Sequence, residues 1–140
     1  MTIEYNVSQD GLRIETFPKG VLDIEQTIEY FGRIQSDKKI KPGAIEIVYF
    51  KNVTDFRISF SESEQITKIY QEPKSKQLIN ATIFVCEINL AYGIGRMLQT
   101  LHEITNPNHK VEIVRSENEI NKVINTVRAV QDKLGLSISS

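Results

Sequence analysis

The sequence predicts an α/β fold: a five-stranded mixed sheet that opens with a β-hairpin, elements in the order ββαβαβαβα, and four helices. Three observations point that way. The chain starts with alternating apolar and polar residues on either side of an Asp10-Gly11 turn. Two nearly continuous apolar runs, at 44–50 and 78–86, have the length of strands covered on both faces, as parallel strands are. Around these runs, apolar residues recur at helical spacing.

The elements follow in order. Ile3, Tyr5 and Val7 alternate with polar residues, the turn intervenes, and Leu12 and Ile14 resume the alternation, which makes an antiparallel hairpin. Pro18-Lys-Gly20 breaks the second strand. Asp23 with Gln26 forms a capping-box pattern, and Ile24, Ile28, Phe31 and Ile34 stripe the first helix. A polar loop at 36–43 leads to the strand at 44–50. Phe56, Ile58 and Phe60 then alternate with Arg57, Ser59 and Ser61, an extended and half-buried connection. Ser61 with Glu64 makes a second capping box; Ile66, Ile69 and Tyr70 stripe a short helix that Pro73 terminates.

After the strand at 78–86, Asn89 is the candidate N-cap of a third helix. Leu90, Ile94, Met97, Leu98, Leu101 and Ile104 fall within about 120° of one another on it, a face expected to meet the sheet. Asn106-Pro-Asn108 closes that helix, and Val111, Ile113 and Val114 form the last strand. Ser116 with Glu119 gives a third box, and the stripe Ile120, Val123, Ile124, Val127, Val130 and Leu134 runs to Gly135. Right-handed crossovers make the last four strands mostly parallel.

The 140 residues suffice for one domain, over residues 2–136, with 137–140 as a loose tail. With 40% hydrophobic and 25% charged residues, the composition is that of a soluble globular protein. Seventeen Lys+Arg against 18 Asp+Glu leave no surplus charge pointing to nucleic acid. The lone cysteine, Cys86, excludes an intramolecular disulfide framework and reads as a small core residue. No stretch approaches the ~18 apolar residues of a membrane span, and the alternating start is unlike a signal peptide, so a cytoplasmic protein is expected.

Two stretches carry a resemblance. Asn89-Leu-Ala-Tyr-Gly-Ile-Gly-Arg-Met97 resembles the Tyr-Gly-(small or apolar)-x-Arg-Met run of uncharacterised bacterial STAS-like domains. Asn52-Val-Thr-Asp-Phe-Arg-Ile-Ser-Phe-Ser61 stands where that fold carries its regulatory serine. The chain thus resembles the STAS-type domains of anti-sigma-factor antagonists, with their SpoIIAA-like fold. The resemblance implies a regulatory, non-enzymatic role and a protein partner, with a regulatory kinase or sigma-control system as the type. The antagonists carry an Asp-Ser-Ser-Gly-like motif around their phosphorylated serine. Here the sequence is Arg57-Ile-Ser-Phe-Ser-Glu62, with no glycine and no acidic residue directly before either serine.

The candidate contact residues are Tyr92, Gly93, Gly95, Arg96, Phe56 and Phe60. On a helical wheel Tyr92 projects opposite the apolar stripe and Arg96 points outward. Gly93 lies at the stripe's margin, where a missing Cβ lets the helix approach a strand. Gly95 lies about 120° from the stripe's centre, where glycine costs up to ~1 kcal/mol without a packing gain. A tolerated glycine and a solvated arginine are the plainer account of the same residues. Ser59 and Ser61 are candidate phosphorylation sites at a helix start; the plainer account is that Ser61 caps the helix and Ser59 faces solvent.

Asp55 and Glu87 each stand just past a strand end, but no nucleophile–base pair accompanies them. His102 and His109 lack metal-like spacing, His109 falls in a polar loop, and both read as ordinary. Lys38, Lys39 and Lys41 read as a solvated loop. No catalytic set, metal or cofactor is expected. The sequence therefore supports a protein-interaction module first. A carrier or sensor of a small anionic ligand or lipid, using the same rim, comes second. A homodimer stays open.

Overall fold

The hairpin forms at the Asp10-Gly11 turn. In a computed structural model describing residues 2–72, 78–105 and 109–133, β1 (Glu4–Val7) pairs antiparallel with β2 (Arg13–Phe17). Gly11 takes φ 76°, and a Cβ there would lie 2.5 Å from the Lys39 carbonyl oxygen, so glycine is required twice over. The main sheet continues with β4 (Ala44–Tyr49), β6 (Ile79–Val85) and β7 (Lys110–Val114), in the order β1-β2-β4-β6-β7. Every pairing after the hairpin is parallel.

A second, two-stranded sheet was not expected from the sequence. Pro18 does interrupt β2, having no N–H to give the ladder. The chain resumes at once as β3 (Lys19–Asp23), which pairs in parallel with β5 (Asn52–Arg57). Gly20, at φ 70°, marks a register shift in that pairing. Of the segment 56–61, expected to be an extended connection, only Phe56 and Arg57 belong to β5, and Phe60 and Ser61 already lie in the helix that follows.

Helix α1 (Ile24–Ser36) starts at Asp23, whose carboxylate accepts the Gln26 N–H at 2.9 Å. The Gln26 side chain reaches back to the Val21 carbonyl, so this is a cap without the full reciprocal box. Its buried face is Thr27, Tyr30, Phe31 and Ile34, and Ile28 is exposed, contrary to the expected stripe. Helix α2 (Phe60–Gln71) begins two residues before the predicted start. The box pairs Ser59 with Glu62, because Ser-x-x-Glu fits in both frames and this one turns Ser63, Ile66, Thr67 and Tyr70 inward.

Helix α3 spans Asn89–Thr105, and a single 3-10 turn (Glu117–Glu119) leads into α4 (Ile120–Lys133). At that turn the Glu119 carboxylate accepts the Arg115 and Ser116 N–H groups. Pro73, the 106–108 turn, Leu134, Gly135 and the 137–140 tail lie outside the described residues.

The sheet divides two apolar cores. Ile45, Ile47 and Tyr49 of β4 pack with Ala81, Ile83, Val85, Val114 and α4. Ala44 and Val48 face the other way, into a larger core shared with α1, α2 and α3. Among the described residues no helix is long and apolar enough to cross a membrane.

Candidate functional site

Strand alternation decides what sits under the helices. Because Ile45 and Ile47 face α4, Glu46 between them must point into the α1–α3 layer. It is 0% exposed. A buried carboxyl needs partners, and three hydroxyls supply them. Tyr30 of α1 donates to Oε2 at 2.5 Å, while Tyr70 of α2 and Thr82 of β6 donate to Oε1, Thr82 at 2.8 Å. Thr82 can reach because it is the register partner of Glu46 on the neighbouring strand. The Tyr30 hydroxyl is also 2.7 Å from Thr16 of β2.

The cluster extends to both histidines. Thr82 Oγ1 lies 2.8 Å from His109 Nε2 as well as from Glu46. Its single proton serves one of them at a time; the other contact is completed by a proton on His109 Nε2 or on Glu46. The His109 ring lies 4.5 Å from the Tyr70 ring, and His102 lies 5.0 Å from Tyr70 and 5.2 Å from His109, centroid to centroid. His102 is 1% exposed, and its Nδ1 has no hydrogen-bond partner among the described residues.

Burial sets the charges. It raises the Glu46 pKa above its ordinary value, against the three hydroxyl hydrogen bonds that favour the ionised form. It raises Tyr30 and Tyr70 well above 10, with the nearby Glu46 carboxylate adding to the effect. Burial lowers His102 to about 4. It lowers His109 to about 3, helped by the neighbouring His102 and opposed by a hydrogen bond to the Ile79 backbone. Both imidazoles are therefore neutral at pH 7.

Glu46, Tyr30, Tyr70 and His102 line a cavity of about 220 Å³. Its remaining wall is largely apolar, including Phe31, Phe50, Ile66, Phe84 and Leu98. Phe56, Ile58, Ile94 and Met97 are its half-buried wall residues and mark the side nearest solvent. Among the described residues no lysine or arginine lines it.

The candidate residues from the sequence do not converge on one point. Phe56 belongs to the cavity wall, with its ring 5.5 Å from Phe50. Phe60 stands outside the cavity on the first turn of α2 and is 63% exposed. Tyr92 is exposed on α3, with the Arg115 guanidinium 4.5 Å above its ring. Arg96 is exposed and donates to Gln99 at 2.7 Å.

Asn89 is the first residue of α3 instead of its cap; its carboxamide oxygen accepts from Arg115, and the Tyr92 N–H bonds the Ile88 carbonyl. The two glycines exchange the roles expected of them. Gly93 faces open space, whereas a Cβ on Gly95 would lie 3.1 Å from Cys86 Sγ and 3.5 Å from Ile113. The inward face of α3 therefore runs through Ala91, Gly95, Leu98 and His102, and Leu90 and Ile104 are exposed. The large side chains set the apolar centre of the helical wheel, but close contact with the sheet selects the small ones.

Ser59 caps α2 and Ser61 is exposed beside it, the reverse of the expected division. Asp55 is exposed and pairs with Arg57 at 3.2 Å; Glu87 is exposed at the start of the next loop. Cys86 is buried, and burial raises its thiol to about 12. His109 stands in the loop before β7, as expected, but neither histidine is ordinary: both are buried in the polar cluster. That cluster had one sequence signal: a single carboxylate inside the run Ile45-Glu46-Ile47, in a strand apolar on both faces.

The topology is that of the SpoIIAA-like fold, the fold of STAS-type domains. The chain is similar to an uncharacterized protein of the DUF3478 family with a SpoIIAA-like fold from Shewanella loihica PV-4. That similarity has a TM-score of 0.56 and 12% identity, over 87% of this chain and 91% of the other. It is also similar to the anti-sigma factor antagonist SpoIIAA in its unphosphorylated form, with a TM-score of 0.54 and 10% identity, over 91% of this chain and 98% of the other. No protein-family model and no curated protein matches the sequence.

Proposed function

We propose that the protein is a non-enzymatic regulatory module that presents the β5–α2 connection and the start of α3 to a protein partner. The fold is one used by an anti-sigma factor antagonist, which makes a regulatory kinase or sigma-control component the type of partner to seek. The observation that carries the reading is the exposed apolar start of α3. Ile88, Leu90 (50% exposed) and Tyr92 stand within five residues, with the Arg115 guanidinium over the tyrosine ring. Aromatic and arginine side chains grouped in this way are typical anchors of protein interfaces. Phe60 adds an exposed ring at the start of α2.

Of the two serines, Ser61 is exposed and free of the cap bond, and Ser59 Oγ accepts the Glu62 N–H. A phosphate on either would place charge at the positive end of α2. Intact-mass spectrometry of protein from its host reads this directly. The docking surface is tested by affinity capture from host extract with wild type, Leu90→Asp and Tyr92→Ala/Arg96→Ala. A partner bound by wild type and lost from both variants supports the surface; unchanged capture refutes it.

The second reading, a carrier of an amphipathic anion, gains a cavity but lacks a counter-charge. No basic residue lines the cavity among the described residues, and Arg96 is bound to Gln99 on the outer face of α3.

A further inference from the structure

We propose that the cavity beside Glu46 and His102 is a binding site for an uncharged, hydroxyl-bearing compound of one or two rings. The proposal is independent of the partner surface. Size sets the first limit. An engineered apolar cavity of ~150 Å³ holds benzene; this one, at about 220 Å³, has room for more than a single bare ring. Its wall is mostly aliphatic and aromatic, which favours an apolar body stripped of water.

Charge sets the second limit. An anion entering here would meet the carboxyl of Glu46 and, among the described residues, no lysine or arginine. A cation would find Glu46 already accepting from Tyr30, Tyr70 and Thr82. An unpaired charge in such surroundings is strongly disfavoured.

The hydroxyl follows from which wall groups already have partners. Thr16 contacts Tyr30, Thr27 donates to the Asp23 carbonyl, Ser63 to the Ser59 carbonyl, and both tyrosines to Glu46. His102 Nδ1 is buried and has no partner among the described residues. Native structures seldom leave such an atom unpaired. His102 lines the cavity, and a hydroxyl both donates and accepts, so it pairs with the imidazole in either tautomer once the ring presents a nitrogen to it.

The test uses the full chain and its two methionines, Met1 and Met97, labelled with carbon-13 at the methyl group. Met97 lines the cavity and reports on its contents by NMR. The probes are 2-naphthol, naphthalene and 2-naphthoate. The expected result is a saturable shift of the Met97 signal with 2-naphthol, at an affinity at least tenfold above that of the other two. His102→Phe should reduce the preference for 2-naphthol over naphthalene to within about twofold. An unmoved Met97 signal, equal or tighter binding of naphthalene or 2-naphthoate, or a tenfold preference that survives His102→Phe overturns the proposal. Should His102→Phe fail to fold, 2-methoxynaphthalene and His102→Leu replace it. A preference for 2-naphthol that persists against the ether only when His102 is present upholds the proposal, and its persistence in His102→Leu overturns it.

Discussion

Replacing Glu46 by glutamine removes one titration from the floor of the cavity while keeping its shape. Two consequences can be worked out. First, the amide can keep the hydroxyls engaged. Its oxygen accepts from Tyr70 and Thr82, its NH2 faces Tyr30, and Tyr30 turns its proton to Thr16 at 2.7 Å. Leucine offers none of this. Tyr30 can still turn to Thr16 and Thr82 to His109, but Tyr70 is left facing carbon. A stranded buried hydroxyl costs about 1–3 kcal/mol, so Glu46→Leu should lose roughly that more than Glu46→Gln.

Second, the wild type carries a pH dependence that the amide lacks. Burial raises the Glu46 pKa in the folded chain above 4.5. Above 4.5 the folded state holds a proton that the unfolded chain has released, so stability falls as pH rises toward the folded value. The slope is at most about 1.4 kcal/mol per pH unit, the limit for one proton. The histidines are present in both proteins, so the difference between wild type and Glu46→Gln isolates the carboxyl. Urea unfolding followed by far-UV circular dichroism from pH 4 to 8 measures it. The stability of wild type relative to Glu46→Gln should decline with rising pH. A difference that stays flat or grows refutes both the burial of the carboxyl and its place in the cluster.

Other substitutions separate residues that look alike in sequence. Gly93→Ala, facing open space, should stabilise by about 0.5–1 kcal/mol, and Gly95→Ala should fall about 1–3 kcal/mol below Gly93→Ala because Cys86 Sγ, 3.1 Å from the new Cβ, has to give way; thermal melts compare them. Ser59→Ala should cost about 1 kcal/mol for the lost cap, and Ser61→Ala should stay within about 0.5 kcal/mol, by the same assay. His102 and His109, lowered from 6.5 to about 4 and about 3, exclude protons that the unfolded chain binds. Their contribution is complete above pH 6.5 and is lost as pH falls. In urea titrations between pH 6.5 and 4.5, His102→Phe should lose stability less steeply than wild type, by up to about 1.4 kcal/mol per pH unit. Equal slopes would contradict the burial of His102.

The strands that were legible in the sequence are those whose pattern arises locally. A hairpin is a property of Asp10-Gly11 and its flanks, and a doubly covered strand is a property of an uninterrupted apolar run. The β3–β5 pair was not legible because its two members are separated by a helix and a strand, and each is a short polar-rich segment stabilised by the other. The frame of α2 was ambiguous because Ser59-x-x-Glu62 and Ser61-x-x-Glu64 satisfy the same capping rule, and only tertiary packing of Ser63, Ile66, Thr67 and Tyr70 selects between them. The polar cluster draws on six elements (β2, α1, β4, α2, β6 and α3) and the His109 segment. Tyr30 and Tyr70 look like ordinary members of apolar helix faces until a carboxyl is placed opposite them. What the sequence did contain was the anomaly itself: one glutamate where every neighbour is apolar.

Helix α3 also explains why two functional readings can be tested apart. Ala91, Gly95, Leu98 and His102 follow one another at spacings of four, three and four, and form its inward line; Tyr92 and Arg96 lie one position further round, on the outward side. A substitution at Leu90 or Tyr92 changes the exposed surface, since neither residue lines the cavity. A substitution at His102 changes the cavity, since that side chain is buried beneath the helix against Tyr70. A partner lost from Leu90→Asp while 2-naphthol still shifts Met97 would therefore assign docking to the outer face alone. Loss of the naphthol preference in His102→Phe with partner capture intact would assign recognition of the hydroxyl to the inner one.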